Sequence, residues 1–130
     1  MSLGVVGLHH VAIIASDYER SKQFYHELLG LPIIAETYRE ARDSYKLDLV
    51  LPDGSQLELF SFPAPAVRPS YPEATGLRHL ALAVGCLDTA VEYLRSHGVV
   101  VEPVRQDELT GKRFTFFADP DDLPLELYEV

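Results

Sequence analysis

The sequence of 130 residues predicts an α+β fold of two tandem βαβββ modules, about 5–62 and 77–130, joined by a proline-rich connector at 63–76. Three observations carry this. The order strand, helix, strand, strand, strand can be read twice. Matching residues recur at a nearly constant offset: His10 to His79 is 69 residues, Gly30 to Gly98 is 68, and Glu58 to Glu126 is 68. Between the two readings lies Phe62-Pro63-Ala64-Pro65, followed by Pro69 and Pro72, a stretch that favours extended linker over regular structure.

In the first module, 8–14 is rich in Val and Ile and alternates weakly, which predicts a strand. Ser16-Asp17-Tyr18-Glu19 fits a capping box with a serine cap and a glutamate three positions later. The helix it opens carries Phe24, Tyr25, Leu28 and Leu29, and Gly30 ends it where a left-handed residue is wanted. Strands follow at about 31–37, 45–51 and 55–61, the last two joined through Pro52-Asp53-Gly54. In the second module a strand at 78–84 leads to Asp88, the expected cap of a helix carrying Ala90, Val91 and Leu94. Gly98 closes that helix. Strands are expected near 99–104, 113–118 and 123–129, with Asp119-Pro120-Asp121 as the last turn.

The chain length suits a single domain able to bury a sufficient core. Apolar residues make up 47 % and charged residues 24 %, as in ordinary globular chains. The net charge of −9 points away from nucleic acid, whose phosphates call for a basic face. No apolar run reaches the length of a membrane helix. The lone Cys86 excludes an internal disulfide and suits the cytoplasm.

Strand parity selects the residues that share an open face. Leu80, Leu82 and Val84 form an apolar face for a helix to cover, leaving His79 with the small Ala81 and Ala83 on the other. Glu126 lies between Leu125 and Leu127, and Glu58 between Leu57 and Leu59. His10 with Ala12 matches His79 with Ala81, which favours His10 over His9. Each residue alone has a plain reading as a surface group. Together, two neutral imidazoles and two carboxylates at repeat-equivalent positions suit one divalent ion such as Zn, Ni, Co, Mn or Fe. His10, Glu58, His79 and Glu126 are the expected metal ligands. His26 and His97 sit at helix ends, where capping explains them.

The chain resembles the vicinal-oxygen-chelate superfamily, the glyoxalase I/bleomycin-resistance/dioxygenase group. The resemblance rests on His10-Val11-Ala12, Ser21-Lys22-Gln23-Phe24-Tyr25, Leu29-Gly30-Leu31 and Leu57-Glu58-Leu59. In the second half it rests on Gly76-Leu77-Arg78-His79-Leu80-Ala81, Gly98, and Asp119-Pro120-Asp121 ahead of Leu125-Glu126-Leu127. It implies an incomplete metal-binding barrel made of paired modules, and four ligands at the positions of His10, Glu58, His79 and Glu126. The chain is most similar to a bacterial glyoxalase I-like subgroup, through Tyr38-Arg39-Glu40-Ala41-Arg42-Asp43-Ser44, Glu58-Leu59-Phe60-Ser61-Phe62-Pro63 and Arg113-Phe114-Thr115-Phe116-Phe117.

The resemblance implies a metal-dependent lyase or isomerase of lactoylglutathione lyase type. Such an enzyme acts on a small vicinal-oxygen substrate through an enediolate held by the metal. Glu126 is the first choice for the catalytic base and Glu58 the second. Arg39, Arg42 and Arg113 are the foremost substrate anchors among the cations, which also include Lys46, Arg68 and Arg78; surface ion pairing is the plain alternative for each. Glutathione-using bacterial members resemble one another in an arginine and an asparagine where this chain has Ile14 and Phe62, which points to another thiol or another substrate. The competing readings are a thiol transferase, a ring-cleaving dioxygenase, and a non-catalytic drug-binding module. Small members often pair modules across a dimer, and a barrel made from the two modules of one chain is equally compatible with the sequence. The expected partners are a small-molecule substrate and a second copy in a homodimer, with no nucleic acid and no membrane.

Overall fold

A computed structural model describes residues 2–130, and the chain divides into two compact units, Met1–Ala66 and Val67–Val130. The division falls inside the proline-rich connector. Both units bear out the predicted α+β architecture of tandem βαβββ modules.

In the first unit, β1 (His10–Ala15) leads to a short helix, α1 (Tyr18–Lys22), which continues as a π-helical turn over Gln23–Leu28. Strands β2 (Ile33–Arg39), β3 (Ser44–Val50) and β4 (Gln56–Ser61) follow. The sheet order is β1-β4-β3-β2, with β1 parallel to β4 and the other pairs antiparallel. The parallel pair needs a crossover, which the helical segment and β2–β3 provide; the antiparallel β3–β4 pair needs only the turn at Pro52-Asp53-Gly54. There the Asp53 carboxylate accepts from the Ser55 N–H and hydroxyl. One face of the sheet is buried through Ile13, Ala15, Leu47, Leu49, Leu57 and Leu59, with Tyr25 of the π-helical turn buried alongside.

The second unit repeats the plan with β5 (Leu80–Val84), α2 (Leu87–Ser96), β6 (Arg105–Gln106), β7 (Arg113–Ala118) and β8 (Pro124–Glu129). Its order is β5-β8-β7-β6, again with the first pair parallel. Leu87, Val91 and Leu94 of α2 are buried, as are Phe117, Leu125 and Leu127 of the sheet. Both sheets are open: among the described residues neither pairs its two edge strands. No helix among them is long and apolar enough to cross a membrane.

The two helix-ending glycines hold φ of +74° and +78°, the left-handed region that costs a residue with a Cβ about 1 kcal/mol or more. Beyond each, the backbone turns back onto the helix: Leu31 N–H reaches Tyr25 O at 3.2 Å, and Val99 N–H reaches Leu94 O at 3.0 Å. His26 and His97 each place Nδ1 2.8 Å from a carbonyl, of Leu31 and of Tyr93, in keeping with roles at helix ends.

Three local expectations are corrected. The cap of α1 is Asp17, whose carboxylate accepts from Arg20 N–H at 3.2 Å, one residue later than the expected Ser16. The cap of α2 is Cys86 rather than Asp88, and Cys86 makes no side-chain cap bond. The free Leu87 N–H at that end is met instead by the Glu129 carboxylate at 3.0 Å, from the far end of β8. Asp88, inside the first turn, turns to Arg113 with paired contacts of 3.1 and 3.2 Å. Finally, the strand expected near 99–104 is absent; pairing is confined to Arg105–Gln106, although Glu102 N–H still bonds Phe116 O at 2.9 Å. Pro103 lies within that stretch and cannot donate to a ladder.

Glu129 thus joins the α2 terminus to Arg113. The guanidinium and the Leu87 N–H hold its carboxyl below the ordinary value of 4.5. A depressed folded-state pKa contributes stability that is complete above the unfolded value and is lost as pH falls through the folded one. Thermal melts from pH 7 to pH 3 should therefore show wild type losing part of its margin over Glu129→Gln below about pH 4.5, the margin at neutral pH being the larger. Parallel melting curves across that range would refute the role given to Glu129.

Candidate metal centre

Parity delivers the donor side chains to the open face of each sheet. In β1 Val11, Ile13 and Ala15 point inward, so His10, Ala12 and Ile14 point out; in β4 Glu58 lies between the buried Leu57 and Leu59. The parallel register sets His10 level with Gln56 and Ala12 level with Glu58. His10 and Glu58 are therefore diagonal neighbours, with Ala12 too small to part them. Their atoms Nδ1 and Oε2 are 3.4 Å apart. In the second unit, His79 directly precedes β5, and Ala81 is level with Glu126. Here His79 Nε2 and Glu126 Oε1 are 3.6 Å apart. Both glutamate side chains are largely sheltered, 12 % and 14 % exposed, and the two histidines are more open.

Two ligands each about 2.1 Å from one ion stand about 3.0–3.4 Å apart in octahedral or tetrahedral geometry. Each unit thus presents one imidazole nitrogen and one carboxylate oxygen close to the spacing of adjacent ligands, without thiolates and with donors suited to a borderline divalent ion. The donor set fits the metal that the fold family implies. The donors come as two pairs, one per unit, and among the described residues no group of three or more His, Cys, Asp or Glu is positioned to hold an ion.

The surroundings of the two pairs differ. Beside Glu58, Lys46 Nζ lies 3.8 Å from Glu58 Oε1 and 3.4 Å from Asp48 Oδ1, and Asp48 is the direct cross-strand partner of Glu58. His9 Nδ1 is 2.8 Å from His10 Nδ1, so the tautomers of the two rings are linked. At the matching places of the second unit, Phe114 and Phe116 stand where the first has Lys46 and Asp48. Phe116 is the cross-strand partner of Glu126, and its ring meets His79 edge to face with centroids 5.1 Å apart. A cavity of about 580 Å³ opens onto His79, Glu126, Phe114, Phe116, Arg78 and Arg105.

The arginines foreseen as anchors are placed differently from one another. Arg39 lies 4.8 Å from the ring centre of Phe60 and 5.8 Å from that of Phe62, and donates to Ser44 Oγ. Arg42 lies 5.2 Å from the ring centre of Phe62. Phe60 follows Glu58 on the same face of β4, so Arg39 belongs to the Glu58 side of the sheet. Arg113 sits on the other face of β7 from Phe114 and Phe116, with its guanidinium engaged by Asp88 and Glu129. Those carboxylates raise its pKa further above an already high value. Arg105, not singled out from the sequence, borders the cavity, with its guanidinium over Phe114 at 5.2 Å and Phe116 at 5.5 Å. Nothing in its local pattern marks it, because its place depends on pairing with β7.

A tandem βαβββ chain with one imidazole–carboxylate pair on the open face of each sheet defines the vicinal-oxygen-chelate class of fold. The chain belongs to the Glyoxalase/Bleomycin resistance protein/Dioxygenase superfamily, whose family model matches residues 7–127. It is 63 % identical over 122 residues to the uncharacterized protein YwkD of Bacillus subtilis (strain 168), covering 94 % of this chain and 95 % of that one. It is 32 % identical over 148 residues to a 2-epi-5-epi-valiolone epimerase of Actinomyces sp, covering 98 % of this chain and 81 % of the epimerase. Among solved structures, the glyoxalase family protein from Enterococcus faecalis is similar with a TM-score of 0.88 and 48 % identity, covering 95 % of this chain and 98 % of that one.

Proposed function

We propose that the protein is a divalent-metal-dependent lyase or isomerase of glyoxalase I type, with His10, Glu58, His79 and Glu126 as the ligands of one ion. The observation that carries this reading is the repeated imidazole–carboxylate pair at 3.4 and 3.6 Å, on the open face of both sheets. Zn, Ni, Co, Mn or Fe are the ions its donors suit. When bound, the ion supplies Lewis acidity for two adjacent substrate oxygens. The chain's part is to hold and move a proton. A carboxylate beside an imidazole can take a proton from one carbon and return it to the next, and Glu126 is the first choice with Glu58 the second. Phe114 and Phe116 set aromatic rings beside Glu126, which lowers the competition from water on that flank of the carboxylate. The Actinomyces epimerase, similar over nearly the whole chain, favours a second form of the same chemistry in which the proton returns to the carbon it left, on the opposite face.

The protein acts in the cytoplasm, a reducing compartment that suits its single cysteine without a disulfide, and works as a homodimer on a small molecule. Sedimentation equilibrium measures the dimer. The deciding experiment is elemental analysis of untagged protein, paired with a hemithioacetal isomerisation assay after reconstitution with Ni²⁺, Co²⁺, Mn²⁺ or Zn²⁺. One ion per site with turnover is the expected result. One ion without turnover would move the search to epimerisable vicinal-oxygen substrates, and no uptake of any ion would defeat the metal-dependent reading.

A further inference from the structure

We propose that Arg105 forms an anion-binding subsite in the cavity that holds His79 and Glu126, so that the substrate carries a carboxylate or phosphate group beside its vicinal oxygens. This deepens the metal-dependent reading above and rests on it. Arg105 is set by its register with Phe114, and its guanidinium covers the two rings that flank the donor pair. Phe116 touches both ends of this arrangement, since its ring packs against His79 while its backbone pairs with Glu126. A planar guanidinium laid on aromatic rings is held in orientation, with its N–H edge left to grip an oxyanion through paired contacts.

The other arginines of this unit are more committed or less well held. Arg113 is taken by Asp88 and Glu129. Arg68 donates to the carbonyl oxygens of Leu77 and Arg78 and to Ser70. Arg95 donates to Val101 O. Arg78 borders the cavity but is 65 % exposed, with guanidinium nitrogens 3.6 Å from Glu73 and 3.4 Å from His79 Nδ1. Arg105 has an ionic partner in Glu102, at 3.0 Å, and both side chains are about half exposed, 52 % and 49 %. An exposed pair of this kind is weak, so a substrate anion sheltered in the cavity can displace Glu102. The cavity volume of about 580 Å³ confines the ligand to a small molecule. In a chain of net charge −9, a preoriented cation in the cavity has a selective consequence: it admits an anion that the protein as a whole would repel.

The test is calorimetric binding of three vicinal diols to the full chain, metal-loaded and chelator-stripped: glycerol, glycerate and glycerol 3-phosphate. They share the diol and differ in the anion, so the two charged ligands also separate a carboxylate site from a phosphate site. The loaded wild type should bind at least one of the charged diols about tenfold tighter than glycerol, the ratio expected of a charge-assisted contact. Arg105→Gln should bring that ratio close to one while leaving the ion content unchanged. Arg105→Lys should recover part of it, and Glu102→Gln, which releases the guanidinium, should increase it. An unchanged preference in Arg105→Gln overturns the subsite. A wild-type chain that takes up no ion yet keeps a preference dependent on Arg105 would overturn the metal reading alone.

Discussion

Protein carrying His79→Ala or Glu126→Ala is expected to lose stoichiometric metal, with affinity falling more than about a hundredfold. Even the loss of a group that merely supports a ligand costs about ten- to a hundredfold. His79 and Glu126 face each other at 3.6 Å across the small Ala81, and a single donor in the second unit cannot replace the pair. His9→Ala should keep stoichiometric binding. Its ring lies against that of His10 with centroids 5.1 Å apart, yet it belongs to the opposite parity of the strand from Ala12. Equilibrium dialysis with Zn²⁺ or Co²⁺ measures all three variants. Tight binding retained by either of the first two would remove that residue from the ligand set. Turnover in the reconstituted Glu126→Gln protein should fall by about 10²–10⁴, the usual worth of a positioned proton carrier.

The largest effect on stability is expected at Leu125. It is fully buried in β8, a central strand of its sheet, paired with Leu80 on one side and Phe117 on the other. Leu125→Ala should cost about 2–5 kcal/mol, the transfer term plus the cavity left among side chains that cannot collapse to fill it. For a chain of this size, that corresponds to a melting point lower by on the order of 10 °C. Leu109→Ala makes the contrast: its side chain is 96 % exposed, so truncation should change stability by less than about 0.5 kcal/mol. Equal melting shifts in the two variants would contradict the burial assigned here. Because Leu125 and Glu126 are neighbours on one strand, the pair also separates two kinds of loss: the first variant weakens the scaffold, the second the ion.

The βαβββ order was legible because its signals are local and repeated. Alternation placed Leu57 and Leu59 inward and Glu58 outward, and the same holds for Leu125, Leu127 and Glu126. Gly30 and Gly98 marked helix ends through a backbone requirement that a single residue reveals. What was missed depended on distant partners. Asp88 has the composition of a cap, but Glu129 meets the Leu87 N–H from 42 residues away and Arg113 claims the Asp88 carboxylate. Ser16 and Asp17 are adjacent capping residues, and composition cannot rank them. The π-helical turn, in which Leu29 N–H reaches back to Phe24 O, leaves the same apolar spacing as an α-helix would over so short a run. Arg105 is one exposed cation among several until the β6–β7 register lays it over Phe114 and Phe116. The donor residues themselves are legible in the sequence, because strand parity sets His10 and Glu58 on one face of the first sheet and His79 and Glu126 on one face of the second.

The positions flanking the two carboxylates bear on the history of the chain. Lys46 and Asp48 in one module correspond to Phe114 and Phe116 in the other, at the same strand register relative to Glu58 and Glu126. Two identical modules would surround their donor pairs with the same chemistry. Here the halves share a pair of donors while the neighbours of those donors differ in chemistry, an ammonium–carboxylate couple in one and a pair of rings in the other. Fusion into one chain is what makes that specialisation heritable, since a protein assembled from identical single modules must change both copies at once.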